Sequence, residues 1–159
     1  MDRTPDRLER VLGAGTALLL ALVLAAIVRG QPHWHTIAIT VWVHLAAMVV
    51  VLALTPVLLW QRRGTRRHRL LGWIWASGMM VSAFDSLWVR GIRHGQFSPI
   101  HALSVLVLVA TPWAVYAARR HNIMAHRQTI RSLVIGSLLI AGAFTFPFGR
   151  LLGRWLLGE

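Results

Sequence analysis

The stretch TIAITVWVHLAAMVVVLALTPVLLW, residues 36–60, followed at once by QRRGTRRHR, residues 61–69, decides the fold. Only His44 in the first segment can ionise. The segment exceeds the roughly 20 apolar residues that cross a bilayer core. Arg62, Arg63, Arg66, Arg67 and Arg69 then crowd into the next few positions. An apolar run closed by an arginine cluster reads as a transmembrane helix entering a cytoplasmic connection.

The same pattern repeats in both directions. Apolar runs lie at residues 11–28, 36–60, 70–89, 99–118 and 132–148. They predict an all-α bundle of five transmembrane helices within a single domain, residues 1–159. Short connections make consecutive helices antiparallel neighbours. The first run is longer than a usual signal-peptide core. Arg29-Gly30-Gln31-Pro32 follows it in place of a small-residue cleavage site, so it reads as a retained helix. A tail from Leu151 carries Leu152, Trp155 and Leu156 and reads as an interfacial segment.

Composition agrees with this pattern. Hydrophobic residues make up 56% of the 159 residues, and the mean hydropathy is +0.58. A chain this small has no interior able to hide that much apolar surface, which excludes a soluble enzyme. The hydropathy also excludes a disordered chain. Cysteine is absent, which removes disulfides, thiolate nucleophiles and thiolate metal sites.

The net charge of +12 comes from 17 basic against 5 acidic residues, and every basic residue is arginine. Arg3, Arg7, Arg10, the five arginines of residues 62–69, Arg119, Arg120, Arg127 and Arg131 fall on one side. Arg29, Arg90, Arg93, Arg150 and Arg154 fall on the other. This asymmetry puts the N-terminus in the cytoplasm and the C-terminus outside. It explains the charge as topology and headgroup contact, with no nucleic acid as partner. Trp34, Trp60, Trp88 and Trp155 stand at span ends, as an aromatic belt does.

Histidine is the residue that points to chemistry, with eight in the chain. His44 lies inside the second span, His68 opens the third, His101 opens the fourth and His126 precedes the fifth. Polar groups at such depths are costly without partners. The sides alternate, so His44 and His101 form an outer pair and His68 and His126 an inner pair. Facing imidazoles from two helices can fill both axial positions of a haem iron in a bundle. Zinc is a poorer fit without cysteine and with few carboxylates. The inner pair matches better in depth than the outer one, with both members in the interface, where a histidine is also suited to plain solvation. At the usual helical rise, His44 lies about 12 Å inside its boundary and His101 about 3 Å, so a shared outer iron requires tilt.

Haem b, one or two per chain, is therefore the expected cofactor, and transmembrane electron transfer the expected function. Arg66, Arg67, Arg69, Arg127 and Arg131 are candidates for inner propionates, and Arg90 and Arg93 for outer ones. His68, Gly72, Trp75, Met79, Ser82 and Ser86 make a helical stripe whose small and polar members leave room for a flat ring. The same stripe suits plain close packing of membrane helices. Asp85 is the one acid within a span. It suits an ion pair with Arg90 or Arg93, a bond to a histidine, or a proton relay. His33, His35, His94 and His121 lie in connections and read as solvated. Motifs for nucleophilic hydrolysis, phosphate binding or zinc proteolysis are missing.

Two alternatives use the same residues. One is a proton-coupled transporter or channel built on Asp85, His44 and His101. The other is a non-catalytic membrane protein that stabilises a partner complex. Besides the lipid bilayer, a quinone or another small redox partner suits the first reading. A homo-oligomer or larger membrane complex is compatible with each.

Two resemblances sharpen these expectations. Gly64-Thr65-Arg66-Arg67-His68-Arg69-Leu70-Leu71-Gly72-Trp73 resembles the His-Arg-x-x-Gly signature of an uncharacterised bacterial family of predicted membrane proteins. Phe97-Ser98-Pro99-Ile100-His101, Ala125-His126-Arg127 and Ala141-Gly142-Ala143-Phe144 are similar to its later motifs. This resemblance covers about residues 36–155 and implies a helical inner-membrane protein. More loosely, the order of histidines is similar to the di-haem b-type transmembrane cytochromes of the ascorbate-reducible kind. That resemblance implies His44 with His101, and His68 with His126, as haem ligand pairs. The gap from His44 to His68 is shorter than in those cytochromes, and no ascorbate-site motif is present.

Overall fold

The computed structural model describes residues 5–88 and 99–158, and all regular structure among them is helical. Helix α1 runs Arg7–Arg29. A 3₁₀ turn, Gln31–Thr36, leads to α2, Ile39–Trp60. Helix α3 spans Arg66–Trp88 and α4 spans Pro99–Arg119. Helix α5, Ile123–Leu133, continues through a π-wound segment, Val134–Ile140, into the short α6, Ala141–Ala143. Helix α7, Leu151–Leu157, ends the described chain. Helices α1 to α4 are each long and apolar enough to cross a membrane.

The helix starts are set by local chemistry. Asp6 and Glu9 form a capping box: Glu9 N–H donates to Asp6 Oδ1 at 3.0 Å, and Asp6 N–H to Glu9 Oε2 at 3.1 Å. Thr65 Oγ1 accepts the His68 N–H at 3.1 Å and caps α3. The α4–α5 reversal is tighter still. His121 takes a positive φ of 56°. Its N–H donates to the Ala118 carbonyl, and the Asn122 N–H donates to Ala117 O at 2.9 Å. That is a Schellman ending, with His121 where glycine is usual. The Asn122 side chain then caps α5 by accepting the Ala125 N–H.

Each helix packs on its neighbour in sequence, α1 on α2, α2 on α3, α3 on α4 and α4 on α5. The π-wound segment returns to α1 and closes the ring. Small residues allow the close crossings. A Cβ on Gly78 of α3 would lie 2.7 Å from Val51 of α2. Val51, Leu52, Met79, Val134 and Leu138 form the most deeply buried part of the core. Val11, Leu18, Val28, Ile39, Leu70, Val109 and Met124 face outward and are largely exposed. An apolar exterior of this extent is suited to lipid rather than water.

Three features differ from the sequence reading. The last long helical run starts at Ile123 rather than near Ser132, and ends at Ala143 rather than near Phe148. Hydropathy hid its first turns, because His126, Arg127 and Arg131 lie among them and turn inward. The tail folds back: α7 packs on α1, and Leu152 and Trp155 are buried. Trp155 therefore belongs to the core, 6.4 Å from Trp42 between ring centroids, rather than to a belt. The Trp88 side chain lies outside the described residues.

The tail also sets a strict spatial limit. A Cβ on Gly153 would collide with the Phe146 carbonyl oxygen, which belongs to the backbone and cannot rotate away. One on Gly72 meets nothing within 4 Å. Gly153→Ala should destabilise the protein by about 1–3 kcal/mol, the usual cost of overpacking. Gly72→Ala should be neutral or slightly stabilising. Thermal unfolding in detergent compares the two, and equal melting temperatures would refute the tail docking.

Candidate functional site

The charged ends of three segments meet at one end of the bundle. Glu9 of α1 is only 2% exposed despite its carboxylate. It accepts from Arg127 at 3.0 Å and from Arg131 at 3.0 Å, and it also pairs with Arg63. Asp6 adds a contact to Arg127 at 3.1 Å and another to Arg131. The Glu9 backbone N–H, assisted by Arg131 and Arg127, holds the Asp6 carboxyl below its ordinary range. Burying one carboxylate this deeply is tolerable because three guanidinium groups supply its hydrogen bonds.

Beside this cluster lies a cavity of about 940 Å³. Its wall is apolar or small: Leu59, Gly72, Trp75, Ala76, Ala114 and Val134. Trp75 is fixed by Nε1–H donating to Thr55 Oγ1 at 2.9 Å, while the Thr55 hydroxyl donates to Val51 O at 2.7 Å. Thr111, 1% exposed, lines the wall with a hydroxyl that has no hydrogen-bond partner among the described residues. Arginines 63, 69, 119, 127 and 131 also line it, against the single carboxylate of Glu9.

His68 and His126 both line this cavity, although they lie far apart in sequence. The two imidazoles are near enough to interact electrostatically. His126 Nδ1 contacts the Ala114 carbonyl at 2.9 Å. Only an N–H can donate to that oxygen, so the proton belongs on Nδ1 and the Nε2 lone pair is left available. Metal-binding histidines are held by this kind of bond. His68 is anchored through its backbone at the Thr65 cap, and its Nδ1 accepts a long 3.4 Å contact from the Gln61 amide N–H, so holding a metal through Nε2 requires that contact to be given up. His121, expected in solvent, is exposed but also lines the cavity.

The outer pair sits differently. His44 Nδ1–H donates to the Ser82 carbonyl at 3.2 Å, so its visible bond is to α3. Asp85 is close enough to act on it electrostatically. His101, 7% exposed, is on α4. Helix α3 packs against both α2, which carries His44, and α4, which carries His101. Ser104 Oγ donates to Ser86 Oγ at 3.0 Å across the α3–α4 interface. One carboxylate oxygen of Asp85 is shielded and has no hydrogen-bond partner among the described residues. Arg90, Arg93 and His94 lie outside the described residues. No group of three or more metal-ligating side chains occurs among the described residues.

The sequence reading missed Glu9, Arg63, Arg119 and His121 as members of this site, and it set Thr111 on a stripe with His101 rather than beside the inner pair. The signal for Glu9 was present in Asp6-x-x-Glu9, a capping-box spacing that moves the helix start upstream of Val11.

A family model described as predicted membrane protein, DUF2306, matches residues 41–145. The chain belongs to this family. The DUF2306 segment begins inside α2 and runs past α6, so it holds all four histidines considered as ligands. It excludes α1 with Glu9, and it excludes α7. No curated protein and no solved structure matches this DUF2306 chain.

Glu9→Gln keeps the shape but removes the charge that faces three arginines. It should destabilise the fold by about 3–5 kcal/mol, the cost of breaking a buried pair from one side. Arg10→Gln, one residue away and exposed, should change little. Chemical unfolding of both variants in detergent checks this. Equal stability would show that the cluster does not anchor α1.

Proposed function

We propose that this membrane protein is a b-type cytochrome, with haem held in the cavity between His68 and His126. The observation that supports it is the meeting of these two imidazoles in one cavity, with His126 fixed through Nδ1 and its Nε2 left available. The volume of about 940 Å³ falls within the roughly 300–1,000 Å³ of cofactor sites. The flat wall of Trp75, Gly72 and Ala76 and the cationic lining suit an apolar ring that carries carboxylates. His68 and His126 would hold the iron, which when bound supplies one-electron chemistry. The apolar wall excludes water, and the Ala114 carbonyl keeps the His126 proton on Nδ1.

The finer topology belongs to the same proposal. The run Ile123–Ala143 is the fifth span of one domain in a bacterial inner membrane. The arginine-rich end with the cavity faces the cytoplasm, and α7 lies outside. His44 and His101 are a second haem site in a transmembrane relay, with a quinol or small reductant as donor.

The purified protein, supplied with haem, should show a sharp reduced α-band and a pyridine haemochrome. His126→Ala and His68→Ala should lose the inner haem, while retaining the wild-type circular dichroism spectrum. A protein that stays colourless after haem addition, or unchanged haem content in both variants, would end the cytochrome reading.

One observation favours a second reading. The shielded oxygen of Asp85, without a hydrogen-bond partner among the described residues, suits a proton-coupled transporter. This reading expects proton flux in liposomes that falls at least severalfold in Asp85→Asn. Wild-type flux in that variant would exclude it.

A further inference from the structure

The arginines of the cavity fall into two groups. Arg63, Arg127 and Arg131 face the carboxylates of Glu9 and Asp6. Arg69 and Arg119 also line the cavity, but neither forms an ion pair among the described residues. Both are exposed. Trp73 links them. The Arg119 guanidinium lies over the Trp73 ring, 5.2 Å from its centroid. Arg69 precedes Trp73 by one helical turn and shares its face of α3. Arg69 is steadied by donating to the Gly64 carbonyl at 2.9 Å, which leaves further donors on its guanidinium.

We infer that Arg69, one helical turn before Trp73, and Arg119, stacked on the Trp73 ring, bind the anionic group of an amphipathic ligand whose apolar body enters the cavity. Three features point the same way. The excess charge is local, because Glu9 and Asp6 already answer the other three arginines. Stacking on Trp73 holds a guanidinium in place while leaving its edge donors available. Behind the arginines lies an apolar wall with the unpartnered Thr111 hydroxyl in it. A small inorganic anion would leave that wall empty, and a neutral apolar molecule would leave the two charges unanswered. A carboxylate or phosphate on an apolar body satisfies both. Haem propionates and the phosphate of an anionic lipid share this chemistry. The inference concerns the same cavity as the haem reading and can fail separately from it.

The test uses the full chain in detergent micelles with two pairs of probes. The first is haem b against its dimethyl ester, in which the propionates are neutral. The second is brominated phosphatidylglycerol against brominated phosphatidylcholine, followed by tryptophan quenching. The expected result is preference for the anionic member of at least one pair. In the Arg69→Gln, Arg119→Gln double variant that preference should weaken about tenfold or more, the scale of a lost charge-assisted hydrogen bond. Binding of the neutral members should not change. Arg120→Gln removes a nearby charge that rests on Tyr116 and does not line the cavity, so it should bind as wild type. Preference in the haem pair alone identifies a cofactor, and preference in the lipid pair alone identifies a headgroup. Selective lipid binding without haem binding would retire the cytochrome reading and keep this one. Haem binding that is indifferent to esterification and to the double variant would do the reverse. Absence of preference in both pairs, or equal weakening by Arg120→Gln, would overturn the inference.

Discussion

A buried carboxylate facing three arginines is the contact on which the arginine-rich end of this bundle depends. Glu9 reaches Arg63 before α3 and Arg127 and Arg131 in α5. Those positions come from distant parts of the chain, and without Glu9 their charges would repel. The carboxylate replaces repulsion with hydrogen bonds and draws α1 against the rest. Its cost of burial is offset because each oxygen has a guanidinium to accept from. The cavity beside it then has a fixed floor, while Arg69 and Arg119 keep their charge on the outer lip.

The histidines show how position turns one residue type to different uses. His68 sits just after the Thr65 cap, so its placement is decided by the turn that begins α3. His126 is set by two devices in succession, the left-handed His121 and the Asn122 cap. His44 is held by a bond to the backbone of α3 and lies near the acid Asp85. In a bilayer the carbonyl of a neighbouring helix is among the few partners available, and both His44 and His126 use one.

Much of this was readable before any coordinates. Long apolar runs specify the first four helices because lipid selects for them directly. That His68 and His126 share one end follows from counting spans. The start of α5 was not readable from hydropathy, because its polar side turns into a cavity rather than towards water. Glu9 was hidden by a span boundary drawn at Val11, although its capping-box partner Asp6 gave the earlier start. Trp155 looked like a belt residue because a helix end does not announce that a tail will fold back onto it. The lateral neighbours of a side chain depend on helix rotation, which a single sequence with a weak polar face does not determine.

The π-wound segment at Val134–Ile140 carries a consequence of its own. Each residue there turns the chain through a smaller angle than in an α-helix. The two ends of the run Ile123–Ala143 are thus offset in angular phase. His126 and Arg127 can point into the cavity at one end while Gly142 meets Leu19 of α1 at the other. The angular relation between these two contacts therefore differs from the one a uniform α-helix would give. The loose winding acts as a phase adjuster, letting one helix serve the cavity and the closure of the ring together.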